Sequence, residues 1–202
     1  AQLSLLTGNA HAALREIQLA ISHEEASGAP MHAIDVLLVT QATAHFRAGD
    51  IARADQVIDS ALARAPVGRA PIWRTVKAFY AAHHAAVNQR ADGVPLMRAF
   101  FSGLVRLQHF NAMLFAAPEL AWLCARALQC DVEPTFVREL IVRRKFTPSE
   151  NADQHWPWPL QIEALGQFKV MVYGKPIEFD GKAQKKPMEI LHLLTALPDA
   201  NR

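Results

Sequence analysis

The chain has 202 residues, of which 51% are hydrophobic and 20% are charged, and its formal net charge is +2. This composition excludes a disordered or fibrous protein, and the near balance of charge excludes a chain that is polycationic as a whole. With two cysteines, no apolar run of about 18 residues and no secretory leader, we expect a cytoplasmic protein without a membrane segment.

The first part of the chain repeats itself at a fixed offset. Gly8-Asn9 recurs as Gly49-Asp50, forty-one positions later, and Ala29-Pro30 recurs as Ala70-Pro71 at the same offset. Between these positions the apolar residues follow the i, i+3, i+4, i+7 spacing of an amphipathic helix. One such stripe consists of Ile51, Ala54, Val57, Ile58, Ala61, Leu62 and Ala65. We therefore predict helix pairs, with at least six helices before Thr147 and no strand among them.

The second helix of this unit resembles a tetratricopeptide repeat. After the Gly49-Asp50 turn, Ala54, Ala61 and Pro66 stand where that family has small residues and a helix-ending proline. Glycine permits the left-handed turn, alanine lets two helices approach closely, and proline ends the helix. Because an offset of forty-one exceeds the usual ~34, the longer repeats of MalT-like bacterial regulators are the closer likeness.

This resemblance implies a mainly α fold, an α-solenoid of helical hairpins over residues 1–146, whose surface binds a protein or peptide partner. Residues 94–110, 112–129 and 134–145 are also predicted to be helical, but they follow no clear repeat register. Aromatic residues concentrate in this part of the chain, and they either line an effector pocket or fill the core. They are Phe100, Phe101, Phe110, Phe115 and Trp122.

A change of period marks a second domain. Residues 147–159 are polar and rich in proline, which predicts a linker. Beyond them, Leu160, Ile162 and Ala164 alternate with polar residues, as do Phe168, Val170 and Val172, which predicts two half-buried strands. A turn at 173–176, a short third strand at Ile177 and Phe179, and a helix over 190–197 follow.

Residues 156–197 resemble the opening of the OmpR-type winged-helix domain of SARP/BTAD-like bacterial regulators. The likeness lies in Trp-Pro-Trp-Pro at 156–159, Leu-Gly-Gln-Phe at 165–168, Gly-Lys-Pro at 174–176 and the lysine-rich run at 181–187. It implies that 160–202 is the N-terminal part of a truncated winged helix, because the family's recognition helix and wing come after the first helix. Direct reading of DNA is then expected only of the complete parent protein.

Three lysines precede the last predicted helix, at Lys182, Lys185 and Lys186. They are candidates for contacts with DNA phosphates. The alternative is an ordinary solvated lysine face, because charge runs usually face water.

No motif for catalysis or for a cofactor is present. The chain lacks His-Glu-x-x-His, Cys-x-x-Cys, Gly-x-Ser-x-Gly and the phosphate-binding loops. His83 and His84 are adjacent and diverge around a helix, and Cys124 and Cys130 are expected to be ordinary buried thiols. We therefore expect no catalytic residue, no metal and no cofactor.

Two functions remain open. The first is a fragment of a transcriptional regulator, in which the repeats receive a signal or a partner and pass it to a DNA-binding domain. The second is a repeat adaptor that binds proteins only, with the strands as a cap on the last repeat.

Overall fold

The computed structural model describes residues 4–5, 8–28, 31–107, 115, 117–163, 169–172, 174–177, 189–190 and 193. It divides into two compact units, Ala1–His155 and Trp156–Arg202. The first unit is helical, and the second contains a small three-stranded antiparallel sheet.

Seven helices lie in the described part of the first unit. They are α1 Ala10–Ala26, α2 Met31–Arg47, α3 Ile51–Arg64, α4 Ala70–Val87, α5 Gly93–Leu107, α6 Ala117–Gln129 and α7 Pro134–Arg144. The residues described before Thr147 contain no strand. The prediction of at least six helices in this region is therefore confirmed.

The same turn occurs five times in the described part of this unit, and four of these turns are followed by a helix. Its central residue has a positive φ angle, and the N–H of the next residue donates to the carbonyl five residues earlier, at 2.8 to 3.1 Å. The central residues of the four turns that precede a helix are Gly8 (φ 78°), Gly49 (φ 82°), Gln89 (φ 52°) and Asp131 (φ 51°), and the fifth is Lys145 (φ 51°) at the end of α7. This pattern is the Schellman ending of an α-helix, which pairs carbonyls that the last helical turn leaves free.

The helices that follow these turns are evenly spaced along the chain. They begin at Ala10, Ile51, Gly93 and Pro134, so successive starts are forty-one, forty-two and forty-one positions apart. Asn9 and Asp50 cap the first two, since their carboxamide and carboxylate oxygens accept the N–H of the residue three positions later, at 3.0 and 3.1 Å. The even spacing of helix starts therefore continues past Gly93, where the sequence has no visible register.

Helices α4 and α5 pack in opposite directions and very closely. A Cβ atom on Gly93 would lie 3.5 Å from the carbonyl oxygen of Ala85, and one on Gly103 would lie 3.3 Å from the hydroxyl of Thr75. The first contact joins the start of α5 to the end of α4, and the second joins the end of α5 to the start of α4. Two glycines thus allow the backbones to approach where larger side chains would separate them.

Helices α2 and α4 run side by side in the same direction. Near their starts, Trp73 Nε1 donates to the fully buried Asp35 at 3.1 Å, and Arg69 pairs with the same carboxylate at 2.9 Å. Near their ends, the hydroxyls of Thr43 and Tyr80 are 2.8 Å apart. The sequence separation of the contacting positions stays nearly constant, at 38 near the starts and 37 near the ends, which indicates a parallel arrangement.

The second unit contains strands β1 Leu160–Glu163, β2 Lys169–Val172 and β3 Lys175–Pro176, in the order β1-β2-β3. Leu160 pairs with Val172 and Ile162 with Val170, so the alternating apolar residues share one face, as predicted.

The third strand begins earlier than predicted. It occupies Lys175–Pro176, within the expected turn, because these residues pair with Val172 and Met171 across the Gly174 turn. Ile177 follows the strand, and its N–H still donates to Val170 O at 2.9 Å.

Several residues of the second predicted domain lie outside the described part of the chain. They are Ala164, Phe168 and Phe179 from the predicted strands and most of the predicted helix over 190–197. Within that segment, Ile190 and Leu193 are helical and exposed.

Candidate binding cleft

The four residues proposed as a repeat signature lie before, within and after helix α3. Gly49 forms the left-handed turn between α2 and α3, and Ala54 and Ala61 on α3 are fully buried. Helix α3 ends at Arg64, and Ala65 before Pro66 has extended geometry, with ψ at 134°. These residues shape the helix pair, and none of them presents a reactive group.

The other candidates separate into core and undescribed residues. Phe100, Phe101 and Phe115 are buried, which favours their role in the core over a pocket lining. Cys124 is buried and Cys130 half-buried, both as free thiols, and burial raises the pKa of the Cys124 thiol. Lys182, Lys185, Lys186 and Phe110 lie outside the described residues.

A cleft of about 190 Å³ opens where the ends of α2 and α4 meet the first turn of α6. Its lining comes from four helices and one helix cap: Phe46, Arg47, Ile51, His83, His84, Val87, Asn88 and Glu119. The cleft combines an apolar wall with one cation, one anion and two imidazoles.

Arg47 is held at the centre of this cleft by two distant parts of the chain. Its Nη1 donates to the carbonyl oxygen of Leu5, and its Nη2 donates to Glu119 Oε2 at 3.3 Å. Its Nε is buried and lies 3.0 Å from Glu119 Oε1, and it makes no hydrogen bond with the residues that the structure describes. The charges are therefore paired, while one donor of the guanidinium is left unused.

His83 forms part of the cleft wall among aromatic rings. Its imidazole lies 5.4 Å from the ring of Phe46 and 5.4 Å from that of Trp122, between centroids. Burial lowers the pKa of His83, an effect that Glu119 opposes and His84 reinforces. The neutral imidazole therefore dominates at neutral pH, and it retains one donor and one acceptor nitrogen.

Among the residues that the structure describes, no cluster of three or more His, Cys, Asp and Glu side chains able to hold a metal ion occurs. The cleft contains no serine, threonine or cysteine that could act as a nucleophile beside His83 or His84.

A second cleft of about 480 Å³ lies between α6 and the segment that follows α7. Trp122 borders it, together with Pro118 and Pro148. Asn151 anchors that segment, since its Nδ2 donates to Trp122 O at 3.1 Å and its own carbonyl accepts from Gln129 at 2.8 Å. Trp122 is thus the only member of the aromatic group among the described residues that borders either cleft.

Sequence analysis did not identify Arg47 and Glu119. They are separated by 72 positions in the chain and belong to helices whose alignment cannot be read from periodicity. One signal was available, because a basic residue in the last turn of α2 and an acidic residue in the first turn of α6 are placed to complement the helix dipoles.

Comparison of the chain with family models, with curated proteins and with solved structures found no match. Among the described helices, none is both long enough and apolar enough to cross a membrane.

Proposed function

We propose that this chain is the helical scaffold of a bacterial transcriptional regulator, an α-solenoid that binds a signal or a partner protein and transmits that event to a DNA-binding domain. The observation that carries the proposal is the recurrence of one turn that is followed by a helix in four of its five occurrences, with helix starts at intervals of forty-one to forty-two positions. Evenly spaced units of one geometry characterise repeat scaffolds, whose common task is binding.

Packing within the first unit supports the solenoid. Consecutive helices contact one another, and the first helices of successive pairs also meet through Thr43 and Tyr80 and through His83 and Trp122. A stack in which each unit contacts mainly its neighbours leaves an extended surface for a partner. The cleft lined by Arg47 and Glu119 lies along that series of contacts.

The second unit supports the link to DNA through its strands and its sequence. A small antiparallel sheet followed by helical residues is the order of elements with which an OmpR-type winged helix begins. In that family a recognition helix and a wing come next. DNA recognition is therefore assigned to the complete parent protein, and the helical unit is assigned the sensing role.

The test compares the present chain with one extended past Arg202 along its own reading frame. Both are titrated, by fluorescence anisotropy at two salt concentrations, against duplex DNA from the parent gene's promoter. The extended chain should bind more tightly and with sequence preference, because base readout adds about 4 to 10 kcal/mol to phosphate contacts alone. Equal, weak binding by both chains would refute the regulator proposal.

The second candidate is a protein-binding adaptor with no role on DNA. It is favoured by the location of the described clefts, both of which lie in the helical unit. Under this alternative the strands cap the last repeat. Failure of the extended chain to bind DNA, with partner binding retained by residues 1–155, would select it.

A further inference from the structure

The cleft between α6 and the segment that follows α7 has walls that are held in place by several contacts. Phe146 anchors the start of that segment in the core, with 8% of its surface exposed. Further along, Asn151 donates to Trp122 O at 3.1 Å, and its own carbonyl accepts from Gln129 at 2.8 Å. The hydroxyl of Ser149 also donates to Asn151 Oδ1 at 2.6 Å. A ligand would therefore meet a site that is already formed, without the cost of ordering a loop.

The volume and the lining of this cleft match those of small-molecule sites. Its volume of about 480 Å³ lies within the ~300–1,000 Å³ that such sites occupy. The segment after α7 contributes polar groups from Thr147, Ser149 and Glu150. The rest of the lining is apolar or aromatic and consists of Ala117, Pro118, Ala121, Trp122 and Pro148. An apolar wall with a few polar groups is the usual composition of a binding pocket.

The charge of the lining decides which ligands this cleft favours. Glu150 is the one charged residue in the described lining, and no lysine, arginine or histidine accompanies it there. Its carboxylate is exposed and takes part in no ion pair within the described ranges. In the smaller cleft, by contrast, the charges of Arg47 and Glu119 are already paired with each other. An anionic ligand would meet a like charge at Glu150, whereas a cationic ligand would gain a counter-charge without breaking an existing pair.

Trp122 adds an aromatic surface to the same cleft. Its indole is half-buried, because it contacts the imidazole of His83 at 5.4 Å between centroids and also borders the open space. Of the aromatic side chains, tryptophan attracts an organic cation most strongly through its π system. An indole and a carboxylate in one cleft therefore favour an ammonium group over a neutral or an anionic one.

We propose that this cleft binds a small organic cation, an ammonium ion that carries an apolar body. The ammonium group lies between the indole of Trp122 and the carboxylate of Glu150, and the apolar body packs on Pro118 and Pro148. The inference rests on the proposed function, in which such a cation is the signal that the helical scaffold receives. Because the ligand contacts both α6 and the segment after α7, its binding would strengthen the attachment of that segment to the helical unit.

Isothermal titration calorimetry of the whole chain with 2-phenylethylammonium at pH 7.5 tests the proposal. Two probes with the same phenyl ring are titrated beside it: 2-phenylethanol, which is neutral, and 3-phenylpropanoate, which is anionic. The ammonium ion should bind saturably and at least about fivefold more tightly than the alcohol, and the carboxylate should bind most weakly. Absence of saturable binding by the ammonium ion, or equal binding of all three probes, would overturn the proposal.

Two substitutions locate the site. Glu150→Gln should weaken the binding of the ammonium ion about two- to fivefold and leave that of the alcohol nearly unchanged, because only a charge is lost. Trp122→Leu should weaken the binding of the ammonium ion more than that of the alcohol, because an aliphatic side chain offers no π system. Glu25→Gln, at an exposed position on α1 outside the cleft, is the matched control and should leave binding unchanged.

Circular dichroism checks that each variant is folded, and Glu150→Gln, at an exposed position, decides the question alone if Trp122→Leu does not fold. Unchanged binding of the ammonium ion by folded Glu150→Gln would refute the site. The DNA titration is independent of this result. A chain that fails to bind organic cations but gains DNA affinity on extension would remove this ligand and leave the proposed regulator function standing.

Discussion

At the scale of single residues, the small side chains on α3 determine how closely the helices approach. Ala54 and Ala61 are fully buried, whereas Ala63 on the same helix is exposed. Sequence analysis identified both buried alanines from their spacing after Gly49, because the spacing of small residues on a helix is a local property. Their burial follows from the neighbouring helices.

We expect Ala54→Trp and Ala61→Trp to destabilise the first unit by about 1 to 3 kcal/mol or more, since an indole ring does not fit between closely packed helices. Ala63→Trp is the matched control and should change the free energy of unfolding by less than about 0.5 kcal/mol. Urea unfolding followed by circular dichroism measures all three. Similar stability of the buried and exposed variants would contradict the close packing of α3.

His83 makes the stability of the molecule depend on pH. Burial lowers its pKa, and burial also lowers the pKa of His45. The unfolded chain therefore takes up protons near the ordinary histidine pKa of about 6.5, while the folded chain resists them until the pH is lower. The contribution to stability is complete above pH ~6.5 and is lost as the pH falls below it.

The thermal midpoint should accordingly decrease when the pH is lowered from 7.5 to 5.5. The midpoint of His83→Phe should decrease less over the same range, because the phenyl ring cannot take up a proton. His11→Gln, at an exposed position on α1, is the control and should retain the wild-type pH dependence. Differential scanning calorimetry at both pH values measures this. A wild-type midpoint that rises as the pH is lowered would contradict the prediction that protonation destabilises the folded chain.

At the scale of elements, the turns explain which repeats the sequence revealed. The turns at Gly8 and Gly49 can be recognised in the sequence because glycine is typical of a left-handed position. Gln89 and Asp131 adopt the same conformation without glycine, so the turn recurs where no sequence signal indicates it. The backbone hydrogen bonds to Ala85 and Ala127 maintain the geometry at these two sites.

Because a left-handed conformation costs an L-residue about 1 kcal/mol, we expect Gly49→Ala to destabilise the protein and Gln89→Gly to stabilise it, each by roughly that amount. No atom lies within 4 Å of a Cβ atom built on Gly49, so the effect there is conformational and not steric. Chemical denaturation of both variants measures the two changes.

Gly68→Ala provides the matched control. Its Cβ atom would also meet open space, but its φ angle is outside the left-handed region. This change should be neutral or stabilising by up to about 1 kcal/mol. If Gly49→Ala behaved like Gly68→Ala, the left-handed turn at Gly49 would be contradicted.

At the scale of the whole molecule, the local spacing of apolar residues predicted the helices and the first two strands, but it did not predict the long-range contacts. The change of period near residue 160 was sufficient to separate helical from strand-forming sequence. The cleft was not predictable, because Arg47 and Glu119 meet only through the alignment of α2, α4 and α6. That alignment depends on the length of every connection between them, which periodicity does not report.

The division into two units has a thermodynamic consequence. Phe146, which follows α7, is buried, and Asn151 is hydrogen-bonded to Trp122 and Gln129. The segment after α7 is therefore part of the helical unit, which ends at His155. The residues that complete this unit extend past the last helix.

A chain ending at His155 should therefore fold alone, with its helical circular dichroism and a thermal midpoint within a few degrees of that of the full chain. A chain ending at Arg144 loses the buried Phe146, worth about 1.5 to 3 kcal/mol, and two hydrogen bonds worth about 1 kcal/mol each. For a unit of this size, each kcal/mol lowers the midpoint by about 2 to 4 °C, so the shorter chain should melt many degrees below the longer one. Equal midpoints for the two chains would show that the segment after α7 contributes nothing, and aggregation of the chain ending at His155 would show that the helical unit depends on the strands.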